Sequence, residues 1–283
     1  LLSNGMWRAA LEYQPPGETA ERDMSWLDWS ILTDLSPDGR TILFNETREG
    51  GGSNSSVYLR RADAPNPVKI GDGYGDALSQ DGKLVLAHVG QKLAVLPTGS
   101  GEARELKIEG AFDAGAVWLP DNRRVVLAGA LKDHGYALHL LDTLDENEKT
   151  ISPENIFGDA YRPFAVSPDG RFVAGMTKDE TVAIYPLQGG DPIAVSGAQK
   201  SEVPIQWSAD GTSLFVYRPT ALPAEVFRIN LATGARDLWK QFNPTDPAGV
   251  YKIAPICMTH DASAYAYDAL RTMSDLYIAE GLQ

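Results

Sequence analysis

The chain has 283 residues, of which 43% are hydrophobic and 22% charged, and its formal net charge is −13. This acidic excess repels phosphate backbones and anionic lipids, so it argues against nucleic acid and membrane surfaces as partners. The single cysteine, Cys257, excludes an internal disulfide and a multi-cysteine metal site, and no apolar run approaches the ~20 residues that insert into a bilayer.

The first segment, residues 1–28, precedes the repeats described below. It opens on Leu-Leu-Ser-Asn-Gly, with neither an initiator Met nor a signal peptide, which predicts that the chain is a fragment of a longer protein. Within the segment, Trp7–Tyr13 is predicted to be a strand. The rest of the segment is interpreted as an extra hairpin or as part of a further sheet.

The next segment contains four short predicted strands around one turn. Ile31–Leu35 approaches the turn Ser36-Pro37-Asp38-Gly39, and Thr41–Asn45 leaves it. Proline presets φ, Ser and Asp can bond nearby amides, and Gly accepts a left-handed conformation. Ser56–Arg60 and Pro67–Ile70 complete the unit. Four short strands in one repeat are typical of one propeller blade.

The same turn, intact or altered, recurs along the whole chain at intervals of 40 to 51 residues. The six copies are centred on Asp38, Asp81, Asp121, Asp169, Asp210 and Asp261. A period of this length with strand-like flanks predicts an all-β fold, a single β-propeller domain spanning residues 1–283. We expect six blades of four antiparallel strands, closed by N-terminal strand material from residues 1–28, with seven blades as the alternative.

The later repeats follow the same order of elements. Third strands are predicted at Lys92–Leu96, Ala137–Leu141, Val182–Leu187, Glu225–Leu231 and Ser274–Ala279. The apolar residue before each turn is expected to pack between blades: Leu35, Leu78, Trp118, Val166, Trp207 and Met258. Ala262 replaces the turn glycine in the sixth copy, so a different backbone type is expected there. Cys257 lies in an apolar stretch and is predicted to be a buried, inert thiol.

Catalytic and metal-binding motifs are sparse in this sequence. The serine-hydrolase motif Gly-x-Ser-x-Gly is absent, and the four histidines do not have metal-ligand spacing. The acidic run Asp142–Glu148 lacks the alternating oxygen ligands of a Ca²⁺ loop and is interpreted as a solvated loop. The recurring aspartates are explained by the turn. No catalytic residue, metal or cofactor is therefore predicted.

One set of residues does suggest a binding surface. In a propeller, the loops that lead into the inner strands and the loops between second and third strands lie on the face opposite the Asp-centred turns. Aromatic residues precede five of the six inner strands, and the second set of loops adds cations and a histidine: Trp29, Tyr74, Phe112, Tyr161 and Tyr251, with Arg48, His134, Arg218 and Arg271. They either form a rim that binds a peptide or small anionic ligand, or fill the wedges between blades.

The repeated turn followed by strands such as Ser56–Arg60 resembles the TolB-like, WD-like propeller repeats of bacteria, from Trp29 to Gln283. Three stretches, Glu21–Ser30, Leu96–Gly99 and Asp275–Leu282, resemble the C-terminal propeller of bacterial membrane-anchored serine/threonine kinases. In that family a cytoplasmic kinase domain and a membrane helix precede the propeller. The resemblance therefore implies an extracytoplasmic sensor or interaction domain, because this chain carries no kinase motif.

Two other functions remain open on the sequence. A periplasmic TolB-like scaffold would bind a peptide of a partner protein. A metal-dependent propeller hydrolase of the lactonase or esterase type would need acidic groups near the inner-strand loops, where Asp76, Asp113, Asp159 and Glu202 are available. The leading expectation is a non-enzymatic domain that binds a protein, a peptide or a small anionic ligand.

Overall fold

The computed structural model describes residues 2–27, 29–48, 51, 55–89, 92–108, 110, 115–130, 135–154, 156, 164–244 and 246–277. Within these residues every regular element is a β-strand, and no helix is long and apolar enough to cross a membrane. The all-β prediction is confirmed.

The chain begins with β1 (Leu2–Gln14) and β2 (Arg22–Asp23), and five consecutive four-stranded sheets follow. Blade 1 contains β3 (Ser30–Leu35), β4 (Thr41–Glu46), β5 (Ser56–Arg61) and β6 (Val68–Asp72). Blade 2 contains β7 (Tyr74–Leu78), β8 (Leu84–Val89), β9 (Lys92–Pro97) and β10 (Arg104–Glu105), and blade 3 contains β11 (Ala116–Trp118), β12 (Arg124–Ala130), β13 (Tyr136–Asp142) and β14 (Glu148–Thr150). Blade 4 contains β15 (Ala165–Val166), β16 (Phe172–Met176), β17 (Val182–Pro186) and β18 (Ile193–Ala194), and blade 5 contains β19 (Val203–Trp207), β20 (Ser213–Tyr217), β21 (Ala224–Asn230) and β22 (Arg236–Phe242).

Blade 6 joins the two ends of the chain. Its inner strands are β23 (Val250–Met258) and β24 (Tyr265–Tyr277), and the sheet order is β2-β1-β24-β23. β1 pairs antiparallel with β24 from Leu2↔Tyr277 to Gln14↔Tyr265. The six blades of four antiparallel strands and the N-terminal closure agree with the prediction, and the seven-bladed alternative is not observed.

The prediction of a third strand at Ser274–Ala279 was wrong. Residues 274–277 continue β24, and 278–279 lie outside the described residues. No Gly, Pro or Asn interrupts the chain between Tyr265 and Tyr277, so nothing in the sequence reverses it. The N-terminal segment therefore supplies both outer strands of blade 6 rather than one.

Among the described residues the hydrophobic core consists of six large clusters, one between each pair of neighbouring blades, and a seventh small cluster where blade 6 meets blade 1. Trp118, for example, packs with residues of blades 2 and 3, and Trp207 with residues of blades 4 and 5. All six apolar residues that precede the turns are buried in these clusters, as predicted from the sequence. Cys257 is also buried, in the cluster between blades 6 and 1.

The Asp-centred turns use the local bonds that their residue types permit. In blade 1 the Ser36 hydroxyl donates to Asp38 Oδ1 at 2.6 Å, and the Gly39 amide donates to the Ser36 carbonyl at 2.8 Å. The expectation of a different sixth turn was wrong. Ala262 has a φ of 57°, and its amide donates to the Thr259 carbonyl at 2.9 Å. The rest of the turn imposes its conformation on alanine.

The two sides of the molecule differ in the connections that they carry. Each inner strand runs towards its Asp-centred turn, so these turns form one side, here named the turn face. The starts of the inner strands and the loops between second and third strands form the other side, here named the loop face. The predicted binding residues belong to the loop face.

Candidate functional site

The structure describes six of the nine predicted binding residues. Trp29, Tyr74 and Tyr251 lie close to the starts of inner strands, and Arg48 and Arg218 follow the ends of second strands. Arg271 lies within β24, opposite Val250 at the start of β23. All six are therefore on the loop face. Phe112, Tyr161 and His134 lie outside the described residues.

Trp29 and Arg48 form a direct pair at the start of blade 1. The Arg48 guanidinium carbon lies 4.0 Å from the centroid of the Trp29 ring, within the range of a cation–π interaction. The ring also packs against the small cluster of Ala9, Ile31 and Leu270, where blade 6 meets blade 1. Trp29 is thus half buried as a wedge residue, while one ring face receives a cation.

Tyr251 pairs with a residue that the sequence analysis did not select. Its ring lies 5.4 Å from that of Trp7, with an interplanar angle of 84°. The exposed fractions are 42% for Tyr251 and 49% for Trp7, so this pair is accessible to a partner. The sequence analysis placed Trp7 in a strand but not in the binding surface. Its contact with Tyr251 forms only because the two ends of the chain pair in blade 6.

The large apolar side chains in this region of the loop face are here named the closure patch, of which Trp29 is half buried and the others exposed: Trp7, Trp26, Leu27, Trp29 and Tyr251. Trp7 and Ala9 point to the same side of β1, and Ala9 contacts Trp29. Trp26 and Leu27 are exposed in the segment that leads into blade 1. The closure of blade 6 therefore concentrates large apolar side chains at one place on the loop face.

Arg271 lies in β24, on blade 6. It is paired with Arg8 of β1 and with Val250 of β23, and its Nη1 donates to Asp246 at 2.7 Å. Because side chains alternate along β24, Arg271 lies on the same side as Ala269, which packs between blades 5 and 6. Arg48 is therefore the predicted cation that contacts an aromatic ring of the patch.

Tyr74 and Arg218 are not part of this surface. Tyr74 begins the inner strand of blade 2, where it is paired with His88 and is 37% exposed. Arg218, in blade 5, donates to Gln199 Oε1 and to the Lys200 carbonyl, both at 3.3 Å. The predicted set is therefore divided: Trp29, Arg48 and Tyr251 lie near the junction of blades 6 and 1, Arg271 lies on the blade 5 side of blade 6, and two lie on other blades.

The two described acidic residues that a metal-dependent hydrolase could use, Asp76 and Glu202, are each paired with a histidine or an arginine. Asp76 is buried and lies 2.6 Å from His88 Nδ1, and burial raises the pKa of its carboxyl although His88 acts in the opposite direction. Glu202 forms a buried pair with Arg236 at 2.8 Å. Asp113 and Asp159 lie outside the described residues. Among the residues that are described, no group of three His, Cys, Asp or Glu side chains is arranged to hold a metal.

The centre of the turn face contains a narrow cavity of about 40 Å³ between the ends of the inner strands. Asp34 and Gln206 line it, and Asp34 Oδ2 accepts the Leu78 amide of the next blade at 3.0 Å. This volume accommodates only a few water molecules. The cavity is therefore too small for a large ligand, and its lining residue Asp34 connects neighbouring blades.

Comparisons with known proteins identify the fold. No family model matches the chain, and no curated protein matches it. A solved structure assigned as a TolB of Agrobacterium tumefaciens is similar with a TM-score of 0.66 and 17% identity, covering 95% of this chain and 99% of that one. TolB of Acinetobacter baumannii gives a TM-score of 0.60 at 12% identity, over 84% and 67% of the two chains.

An enzyme has a similar fold. Oligogalacturonate lyase of Vibrio parahaemolyticus gives a TM-score of 0.57 at 15% identity, over 93% of this chain and 78% of the lyase. At these identities the likeness concerns the fold and not the chemistry. The fold of this six-bladed chain is therefore similar to those of the TolB structures and of this lyase.

Proposed function

We propose that the chain is a non-enzymatic, protein-binding propeller that uses the closure patch on its loop face. The observation that carries this proposal is the exposed Trp7–Tyr251 pair, with Trp26 and Leu27 also exposed in the segment that leads into blade 1. Trp and Tyr are enriched among the residues that dominate protein–protein binding energy, and clustered exposed apolar side chains are a feature of interaction sites.

The composition of the patch favours a protein over a small ligand. The rings of Trp7 and Tyr251 are accessible, and the Arg48 guanidinium lies over the ring of Trp29. Arginine at the edge of an aromatic centre can pair with carboxylates of a partner and raise the association rate. The net charge of −13 disfavours nucleic acid as that partner.

We further propose an extracytoplasmic setting, as the sensor or interaction domain of a larger signalling protein such as a receptor-like serine/threonine kinase. The resemblance of three stretches to the propellers of such kinases supports this part. A rigid propeller suits the role because little of its surface has to become ordered on binding. Immunoblotting of fractionated cells of the source organism tests the location: a purely cytoplasmic signal would contradict it.

Site-specific photo-crosslinking tests the binding surface. A photoreactive amino acid is placed at Trp26 or Leu27 of the patch, and at Val68, an exposed residue on an outer strand, as the control. We expect one defined protein adduct from the patch positions and none from Val68. The double substitution Trp7→Ala, Tyr251→Ala should abolish the adduct without lowering the melting temperature by more than a few degrees. Equal adducts from all positions would contradict the proposal.

A metal-dependent hydrolase is the second candidate, and the Asp76–His88 pair is the observation in its favour. The pair joins a buried carboxylate to an imidazole near the loop face, an arrangement that can support general base catalysis. Metal analysis and a lactone-hydrolysis assay, with Asp76→Asn as the control, decide this alternative. A metal-dependent activity that is lost in Asp76→Asn would replace the non-enzymatic proposal.

A periplasmic scaffold of the TolB type is the third candidate, and the likeness of fold favours it. It would share the binding role but act without an attached signalling domain. Sequencing of the coding region upstream of Leu1 separates the two, because a membrane helix preceded by kinase motifs would support the receptor and contradict the free scaffold.

A further inference from the structure

Two surface grooves lie side by side on the turn face, away from the closure patch. The first groove, between blades 4 and 5, has a volume of about 550 Å³. Apolar side chains form much of its lining, among them Phe172, Ile184, Trp207 and Leu231. Exposed Ile193 lies on its wall. Its volume is in the range of sites that bind ligands or peptide side chains.

The second groove, between blades 5 and 6, has a volume of about 440 Å³. Phe215 and Trp239 provide its aromatic part, with ring centroids 5.5 Å apart. Arg228 and His260 provide polar lining. Like the first groove, it combines apolar surface with a charged margin.

A single low ridge separates the two grooves. Ala209 and Asp210 of the fifth turn line both of them. The other turns carry a larger residue at the position of Ala209: Pro37, Gln80, Pro120, Pro168 and His260. Since alanine is the smallest of these residues, the grooves meet over the fifth turn.

The margin carries two carboxylates that are not in direct ion pairs with any described residue. Hydrogen bonds from Ser208 and Thr212 lower the pKa of Asp210 to about 2, and a bond from the Thr259 hydroxyl lowers the pKa of Asp261. Neither carboxylate forms an ion pair within the described part of the chain, whereas Asp169 is paired with Arg171 at 2.6 Å.

The remaining titratable groups leave the grooves acidic at neutral pH. Burial lowers the pKa of His260, so its ring is neutral there, and its Nδ1 lies 2.9 Å from the Trp207 carbonyl. Arg228 is then the cation that lines the second groove with Asp210 and Asp261, and its charge contributes to the lowered pKa of Asp210. With the net charge of −13 for the chain, this balance favours a cationic ligand.

We propose that the paired grooves bind an extended peptide segment of a partner protein, with an apolar side chain in each groove and a lysine or arginine over Asp210. In an extended chain every second side chain points the same way. Residues i and i+4 can therefore occupy the grooves while residue i+2 meets the ridge. The recognised pattern is apolar-x-basic-x-apolar.

A defined peptide tests this assignment. The probe is a fluorescein-labelled nine-residue peptide with the core Leu-Ser-Lys-Thr-Leu in a Ser/Thr framework, and binding to the full chain is followed by fluorescence anisotropy. We expect saturable binding, at least about tenfold weaker when both leucines become serine, because each loses its burial in a groove. Replacing the lysine with glutamate should also weaken binding. Equal binding of all three peptides would overturn the proposal.

Variants of the protein locate the site. Ala209→Trp should weaken binding at least about tenfold, because the indole would stand on the ridge and obstruct the passage of the peptide from one groove to the other. Asp210→Asn should weaken it about threefold, the size expected for one exposed charge pair. Asp38→Asn removes the equivalent turn carboxylate in blade 1 and should leave binding unchanged. The melting temperature of each variant establishes that it is folded.

Two further outcomes bear on the occupant and on the face. Peptide binding that Trp7→Ala, Tyr251→Ala abolishes and Ala209→Trp leaves intact would overturn the assignment to the turn face. Concentration-dependent dimerisation that Ala209→Trp abolishes would overturn the peptide proposal, because a second copy of the chain would then cover the grooves. Retained peptide affinity in Trp7→Ala, Tyr251→Ala supports a site separate from the closure patch.

Discussion

Asn45 and Asp268 occupy equivalent positions in the second strands of blades 1 and 6, but they form different hydrogen bonds to the next blade. In blade 1 the Thr41 amide donates to the Ser36 hydroxyl, and Asn45 lies four residues after Thr41. In blade 6 the Ala264 amide donates to the Thr259 hydroxyl, and Asp268 lies four residues after Ala264. Asn45 bonds both the amide and the carbonyl of Gly75 in the next blade, at 2.7 and 3.0 Å. Asp268 Oδ2 accepts the Leu32 amide at 2.8 Å, while its buried Oδ1 has no partner within the described residues.

Asp268→Asn should therefore stabilise the protein at about pH 8, by about 1 kcal/mol, because the amide can bond as Asn45 does and carries no charge. Burial raises the pKa of Asp268 well above its usual value. The stability that the protonated carboxyl contributes is complete below about pH 4 and is lost as the pH rises through the raised pKa. Urea denaturation should show the advantage of the variant growing with pH.

The reverse substitution, Asn45→Asp, is the matched control. It should destabilise the protein at about pH 8 and do so less at about pH 4, where a carboxyl is more readily protonated. A pH-independent effect of either variant would show that the charge of this side chain does not govern the contact between blades.

The Glu202–Arg236 pair shows how a candidate catalytic acid serves structure instead. Arg236 donates to both Glu202 oxygens, at 2.8 and 3.2 Å, and to the Gly197 carbonyl at 2.9 Å. We expect Glu202→Gln to lower the free energy of unfolding by about 2 kcal/mol, because it leaves a partly buried guanidinium without its charge partner. Thermal denaturation measures this, and exposed Glu225→Gln should change stability by less than about 0.5 kcal/mol. Equal effects would contradict the structural role.

At the scale of the element, the turn is the unit that repeats. Its bonds lie within five residues, as when the Ser36 hydroxyl accepts the Thr41 amide at 2.8 Å. This local closure explains why alanine is held at a positive φ in the sixth copy. It also explains why the turns could be found in the sequence without knowledge of their surroundings.

Ala262→Gly should accordingly stabilise the protein by about 1 kcal/mol, because glycine adopts a positive φ without the steric cost of a Cβ. The reverse change, Gly82→Ala, should cost a similar amount, since Gly82 has a φ of 71° and a Cβ there would meet nothing within 4 Å. Thermal denaturation of both variants tests the pair. A destabilised Ala262→Gly would show that the packing of the methyl group outweighs its strain.

At the scale of the whole molecule, stability depends on how the ring closes. β1 is the third strand of blade 6 and carries Leu11 and Tyr13 into the cluster shared with blade 1. Tyr13 also donates from its hydroxyl to the Gly39 carbonyl at 2.5 Å. Without β1, β24 would present an unpaired edge and the cluster between blades 6 and 1 would be open to water.

Deletion of residues 1–14 should therefore abolish cooperative unfolding and cause aggregation, as followed by circular dichroism and size-exclusion chromatography. Deletion of residues 1–6 is the control. It leaves the pairs from Trp7↔Thr272 to Gln14↔Tyr265 intact and should lower the melting temperature only slightly. A folded, monomeric protein without residues 1–14 would contradict the proposed role of β1 in closure.

The prediction of the loop-face site succeeded only in part, for a physical reason. Trp29, Arg48 and Tyr251 were selected by their positions relative to the turns, and the structure places them near the junction of blades 6 and 1, whereas Arg271 lies on the blade 5 side. Trp7 has no such position, because its contact with Tyr251 depends on pairing between the two ends of the chain. A motif search along one repeat cannot reveal such a contact.

The sequence alone determined the Asp-centred reversals, their period and hence the all-β propeller, because these features rest on bonds between residues close in the chain. It left six or seven blades open, and the closure of the ring decided for six. Tertiary structure decided that β1 and β2 complete blade 6, that Asp76 and Glu202 are engaged, and that the grooves meet at Ala209. Each of these depends on side chains or strands brought together from distant segments, whose relative positions only the closed ring fixes.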